Sequence, residues 1–183
     1  MLNLQDYDLR RYQKVAHLLN EKKGVLLDVG CGKGIFEYCN KSNGYDIYGF
    51  DNNKDNIITA RRLFNKQRYK VSDANKKFPY EDKTFDIVVC IGLLEHIENP
   101  HNVLKECLRV LKPSGVGIIN TPNAYHYDLA YCINKVPLPE SVNFYFTPNV
   151  IKGVIERYGG HIKSVPFNLN FRRIYVKFSK VKK

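Results

Sequence analysis

Apolar residues recur three or four positions apart at Leu9, Tyr12, Val15, Ala16 and Leu19, the spacing of one buried helical face. This predicts an N-terminal helix within residues 1–22, with Gly24 as its stop. The pattern then changes. GVLLDVGCGKG is a short continuous apolar run followed by glycines, which reads as a buried strand entering a tight loop. Residues 33–41 read as the helix after it. YDIYGFD (45–51) is a second strand that stops at an acid, and residues 53–66 form a helix carrying Ile57, Ile58, Ala60 and Leu63. YKVSDA (69–74) is a third strand and FDIVVCIG (85–92) a fourth. A helix over 99–111 turns Val103, Leu104, Cys107, Leu108 and Leu111 inward, KPSG stops it, and VGIINTP (116–122) is strand five. A stretch rich in Tyr and Phe follows. In FTPNVIKGVIERYGG, Pro148 occupies the first turn of a helix and Gly159 lies beyond its end. HIKSVPF and RIYVKF close the pattern as two strands with no helix between them.

Strands alternating with helices imply a parallel sheet covered on both faces. The last two strands, lacking an intervening helix, imply an antiparallel hairpin at one edge. There is no internal repeat and no linker, so residues 1–183 read as a single domain, with 123–147 as an aromatic lid inserted after strand five. In such sheets ligands bind at the carboxyl ends of the strands, which is where the polar residues of interest fall.

Composition narrows the class. With 44% hydrophobic and 26% charged residues, the 183-residue chain is neither disordered nor low in complexity. No apolar run approaches the ~18 residues of a membrane span. MLNLQDYDLRRYQK has no apolar core of a secretory signal, so a cytoplasmic protein is expected. Five cysteines without a C-x-x-C pair argue against a disulfide framework or a thiolate zinc site. The net charge of +11 is concentrated. Residues 54–77 hold eight Lys or Arg against two acids, and residues 161–183 hold seven against none. Such a surplus fits either a polyanionic partner or a solvated lysine-rich surface.

Three strand ends carry candidate chemistry. The loop Asp28-Val29-Gly30-Cys31-Gly32-Lys33-Gly34 lets backbone approach a ligand closely. Its third glycine comes too early for the G-x-G-x-x-G dinucleotide pattern, and alone it is a weak signal. Asp51, 17 residues beyond Gly34 and followed by Asn52, can accept both hydroxyls of a ribose; it can equally cap the next helix. Asp73-Ala74 ends strand three, either against an adenine edge or as a turn-forming Asp. Together the three are far less common by chance than any one of them.

With these residues the chain resembles the class I S-adenosylmethionine-dependent methyltransferases. LLDVGCGKGIF is similar to their first motif, GFD to their ribose acid, and SDANKKFPYEDKTFDIVVC to their adenine-contact block. LLEHIENPHNVLKECLRVLKPSGVGIINTPN resembles the small-molecule branch that includes ubiquinone-biosynthesis O-methyltransferases. The resemblance implies an α/β, Rossmann-like sheet of seven strands ending in an antiparallel hairpin, and S-adenosyl-L-methionine as cofactor. It implies that Gly30, Cys31, Gly32 and Gly34 pass beneath the methionine part, with Asp28 near its amino group. Asp51 and Asn52 would meet the ribose, Asp73 and Ala74 the adenine, and Cys90, Ile91 and Gly92 the channel towards the sulfonium. Relatives often carry a histidine shortly before the FTP turn; here that stretch is Val142-Asn143-Phe144-Tyr145-Phe146.

Candidate bases for the acceptor are His96 after strand four, and Tyr125 and His126 after strand five. No His, Asp and Glu spacing suggests a metal. Tyr125, Tyr127, Tyr131, Phe144, Tyr145 and Phe146 are the candidate acceptor pocket; with so little cover it is open or completed by a second subunit, as in a homodimer. A small-molecule acceptor is favoured. A nucleic-acid acceptor is the alternative, disfavoured because CIGLL replaces the [DNS]-P-P-[YF] turn that grips a flipped base. A non-catalytic cofactor-binding partner subunit is the third reading.

Overall fold

The computed structural model describes residues 9–19, 22–125, 146–164 and 172–181. Its elements are α1 (Leu9–Leu18), β1 (Gly24–Val29), α2 (Ile35–Asn40), β2 (Tyr45–Asp51), α3 (Lys54–Leu63), β3 (Tyr69–Val71) and β4 (Phe85–Ile91). There follow α4 (Pro100–Val110), β5 (Leu111–Pro122), α5 (Pro148–Arg157), β6 (Gly160–Ser164) and β7 (Arg173–Lys180). The strands form one seven-stranded sheet in the order β3-β2-β1-β4-β5-β7-β6. β1 to β5 are parallel, and β7 runs antiparallel to both β5 and β6. The parallel sheet with a C-terminal antiparallel pair is therefore as the alternation predicts.

The period-2 geometry of the strands sorts their side chains between two layers. Leu26, Ile87, Val89, Ile91 and Ile118 face α1 and α2, where Tyr12, Val15, Leu19, Ile35 and Phe36 meet them. Leu27, Val29, Val88, Cys90 and Ile119 face the other way, onto Val103, Leu104, Cys107 and Leu108 of α4 and Ile151 and Ile155 of α5. β1 and β4 are thus apolar on both faces, the mark of central parallel strands. Among the described residues, no helix is long and apolar enough to cross a membrane.

Element boundaries differ where side chains intervene. α1 ends at Leu18, and Gly24 opens β1 at φ +133° instead of closing the helix. A Cβ there would lie 2.8 Å from the Asp86 carboxylate, which accepts from the Val25 amide and is paired with Lys112. β3 stops after three residues, because Asp73 folds the following chain into a turn. β5 begins at Leu111 and includes KPSG, with a register shift against β4 and Ser114 at φ +64°. At α5 the reading of the sequence holds: the Thr147 hydroxyl accepts from the Val150 amide, and Pro148 stands in the first turn.

The two basic segments lie at opposite edges, residues 54–77 around α3 and β3 and the C-terminal segment on β6 and β7. Several of their cations are spent internally. Arg61 donates twice to the Tyr69 carbonyl, Lys70 to that of Pro79, Lys177 to Leu18, and Lys180 to Arg109 and Leu111.

One packing contact fixes the β5–β7 pairing. Gly117 stands opposite Phe178, whose fully buried ring lies over it, so that a Cβ on Gly117 would come within 2.0 Å of the ring. Gly117→Ala is expected to destabilise the protein by about 1–3 kcal/mol in urea unfolding, the usual cost of overpacking a core. Gly153→Ala, in α5 with nothing within 4 Å of the added carbon, is expected to stabilise it by about 0.5–1 kcal/mol in the same measurement.

Candidate functional site

The chain leaves β1 at Val29 and turns under the end of β2. The amides of Gly30 and Cys31 both donate to the Phe50 carbonyl at 3.0 Å. Gly34, at φ +80°, is glycine for packing as well as conformation: a Cβ would lie 2.7 Å from the Phe64 ring. Gly32, at φ +53°, is different, with nothing within 4 Å of where a Cβ would be. Its backbone faces open space, which is what close approach of a ligand requires.

Asp51 ties this loop to the sheet. One carboxylate oxygen accepts from the Gly32 amide at 3.0 Å, and the other from the Asn53 amide at 2.9 Å and the Asn56 side chain at 3.3 Å. The cap of α3 is not Asp51 but Asn53, whose side chain accepts from the amides of Asp55 and Asn56. Asp51 is therefore held at the strand end for another purpose than capping, with Asn52 exposed beside it. Asp73 accepts from the backbone and side chain of Asn75, at 2.9 and 3.1 Å, which makes it a turn former at the end of β3; Ala74 behind it is buried.

Asp28 lies deeper, on the α1/α2 face at 4% exposure. Burial, reinforced by the negative charge of Asp51, pushes its carboxyl up to about 8, with Arg11 of α1 pulling in the opposite direction. Arg11 stacks over the Tyr12 ring with its guanidinium carbon 4.8 Å from the centroid, and its Nη2 donates to the Tyr12 hydroxyl. Its Nε is buried without a hydrogen-bond partner, alone in this among buried side-chain nitrogens and oxygens of the described residues.

A second cluster sits where β4 and β5 end. The Gly92 amide donates to the Asn120 carbonyl at 2.9 Å, and the chain makes a single 3₁₀ turn over Leu94–His96. Glu95 on that turn is 1% exposed and accepts from the Thr121 hydroxyl at 3.1 Å and from Arg173 Nη1 at 3.3 Å. The same Nη1 donates to the Asn120 side chain at 3.2 Å, while the Asn120 amide donates to the Ile174 carbonyl. A Cβ on Gly92 would lie 2.9 Å from Arg11 Nη1 and 3.7 Å from Arg173 Nη1. Two guanidiniums thus flank one turn.

Arg11, Glu95, Asn120, Thr121 and Arg173 are absent from the residues picked out by sequence. Two signals pointed their way: an arginine next to the apolar stripe of α1, and an acid inside the apolar run GLLEHI.

The other candidates fall as follows. Gly30, Cys31, Gly32, Gly34, Asp51, Asn52, Asp73 and Ala74 gather along the carboxyl ends of β1 to β3. Cys90 is fully buried in the layer under α4, its thiol pushed well up by burial, so its side chain belongs to the core and does not line a channel. Ile91 is buried against the α1 side, and Gly92 alone of the three reaches the turn at φ +66°. His96 is exposed while its neighbour Glu95 points inward. Tyr125 is 39% exposed, its amide on the Asn123 side chain. Phe146 is buried and its carbonyl accepts from the Ala124 amide. His126, Tyr127, Tyr131, Phe144 and Tyr145, and with them most of the expected lid, lie outside the described residues.

A sheet in this order, with a glycine loop after its first strand and acids ending the second and third, is that of the class I methyltransferases. Comparison with known proteins agrees. Residues 27–119 match the methyltransferase domain family, and the chain belongs to that family. It is 33% identical over 118 residues to a ubiquinone biosynthesis O-methyltransferase of Aliivibrio fischeri, covering 60% of this chain and 50% of that one. It is 32% identical over 109 residues to the enzyme of the same name from Rickettsia typhi, covering 58% and 44%. The chain thus spans about half the length of these curated relatives. Among solved structures, a protein of Pyrococcus horikoshii superposes with a TM-score of 0.77 at 25% identity, over 97% of this chain and 92% of that one. An S-adenosylmethionine-dependent methyltransferase of Mesorhizobium loti, at 16% identity, shares the fold with a TM-score of 0.75 over 97% of this chain and 100% of that one.

The raised Asp28 has a consequence for stability. Between the ordinary carboxyl range and about pH 8 the folded protein keeps a proton that the unfolded chain has lost. Stability should therefore fall as pH rises through that interval and level off above it. Asp28→Asn is expected to flatten this slope in urea unfolding between pH 5 and 9, and to be more stable than the parent at pH 9.

Proposed function

We propose that this protein binds S-adenosyl-L-methionine across the carboxyl ends of β1 to β4 and methylates a small-molecule acceptor at the ends of β4 and β5. The observation that carries the reading is the Gly32 backbone, facing open space and fixed from behind by Asp51. The residues fit a nucleoside with an amino-acid tail. Asp51 and Asn52 would hold the ribose hydroxyls, and Asp73 with the Ala74 backbone the adenine. Gly30, Cys31, Gly32 and Gly34 would support the tail. Asp28 would take its ammonium, and the Arg11 guanidinium, whose Nη1 lies at the Gly92 turn, its carboxylate. The backbone at Gly92 would close the acceptor side.

When bound, the cofactor supplies a methyl group already activated by a sulfonium. The chain's own task is then chiefly alignment, which can lower a barrier by about 7–11 kcal/mol in the best intramolecular cases. His96, Tyr125 and His126 are the proposed groups to take a proton from a hydroxyl acceptor. The small-molecule reading is supported by relatives named as ubiquinone biosynthesis O-methyltransferases. A nucleic-acid acceptor finds less support, since the basic segments lie at opposite edges of the sheet.

Calorimetric titration tests the reading. S-adenosylhomocysteine should bind and NAD should not, and Asp51→Ala should weaken the nucleoside by at least about tenfold, the cost of a lost hydrogen bond to a charge plus a loosened loop. Absence of nucleoside binding would overturn the proposal. Binding without methyl transfer to any acceptor would favour a non-catalytic partner subunit.

A further inference from the structure

We infer that the acceptor carries a carboxylate, and that Arg173 is the residue that receives it. This rests on the methyltransferase reading of the same site. Arg173 reaches from the start of β7 across the end of β5 to the turn after β4, where acceptor and methyl donor must meet. Its position is fixed from behind, with Nη1 held by the buried Glu95 and by Asn120. Asn120 is itself anchored on Ile174 and Glu95 on Thr121. Among the described residues no hydrogen bond uses its Nε or Nη2, and the side chain is 27% exposed. A guanidinium locked on one edge and open on the other is shaped for bidentate capture of a carboxylate.

Arg11 and Arg173 both face the Gly92 turn. With Arg11 assigned to the cofactor's carboxylate, Arg173 is the guanidinium left for the acceptor's, since its pairing with Glu95 uses Nη1 alone. Glu95 is then a positioning residue, touching neither ligand.

The test uses a panel of hydroxy- and amino-carboxylic acids, aromatic and aliphatic, each paired with its methyl ester, with S-adenosylhomocysteine release as the readout. The protein should turn over one or more acids with kcat/KM about 10–100-fold above the matching ester, the range for losing a charged hydrogen bond. Arg173→Met should erase that ratio by slowing the acid alone, and leave S-adenosylhomocysteine affinity within about threefold. Because Arg173→Met strands Glu95, the double variant Glu95→Gln/Arg173→Met, which removes both charges, should show the same lost ratio in a stably folded protein. Equal turnover of acids and esters, or nucleoside binding with no acid accepted, overturns the inference. So does an Arg173→Met variant that keeps the ratio but loses S-adenosylhomocysteine and not 5′-methylthioadenosine, since Arg173 would then serve the cofactor's carboxylate. If the parent protein binds no S-adenosylhomocysteine, the methyltransferase reading itself fails.

Discussion

Two strands, β1 and β4, are buried on both faces, and the rest of the molecule is arranged around that constraint. A strand sealed by helices above and below has no room for polar side chains except at its ends. Asp28 is the exception within β1, and its burial is expressed in a carboxyl that holds its proton to about pH 8. The other polar groups that the strands contribute to the site lie at or just past strand ends: Asp51, Asn120, Thr121 and Arg173 in the terminal residues of β2, β5 and β7, and Asp73 and Glu95 beyond β3 and β4. The glycine loop, Asp51, Asp73 and the Glu95 turn are four successive solutions to leaving a buried sheet.

The alternation of apolar runs and helical stripes made the layered architecture readable from sequence, and the glycine loop with its two acids made the cluster at the carboxyl ends of β1 to β3 readable. What was less legible had local causes. Asp51 and Asn53 are equally good helix caps as residue types, and only the geometry shows that Asn53 takes the role and frees Asp51 for the loop. β3 ends early because Asp73 prefers its own turn to the ladder. Cys90 lies in a strand whose alternation places odd and even residues in different layers, and the register assigns it to α4.

Arg11, Glu95 and Arg173 were missed because they are far apart in sequence and ordinary one by one. An arginine on a helix and another among C-terminal basic residues read as surface charge. Only the antiparallel return of β7 beside β5 brings Arg173 over the turn that Arg11 reaches from α1 on the same face of the sheet. The basic surplus looked like a property of two segments; much of it is anchored on carbonyls and on a buried carboxylate, so the bulk charge is a poor guide to the partner.

The position of β7 also bears on the order of assembly. Although last of the seven strands in sequence, it lies inside the sheet, between β5 and β6. β6 emerges from a ribosome before it has anything to pair with, and joins the sheet only once β7 has filled the gap. Arg173 is the first residue of that late strand. The strand ends of β1 to β4 can therefore come together from the leading part of the chain, while the Arg173 side of the turn after β4 waits for the final strand to dock. A nascent or misassembled molecule would hold only the first of these, with Glu95 still lacking the cation that pairs with it.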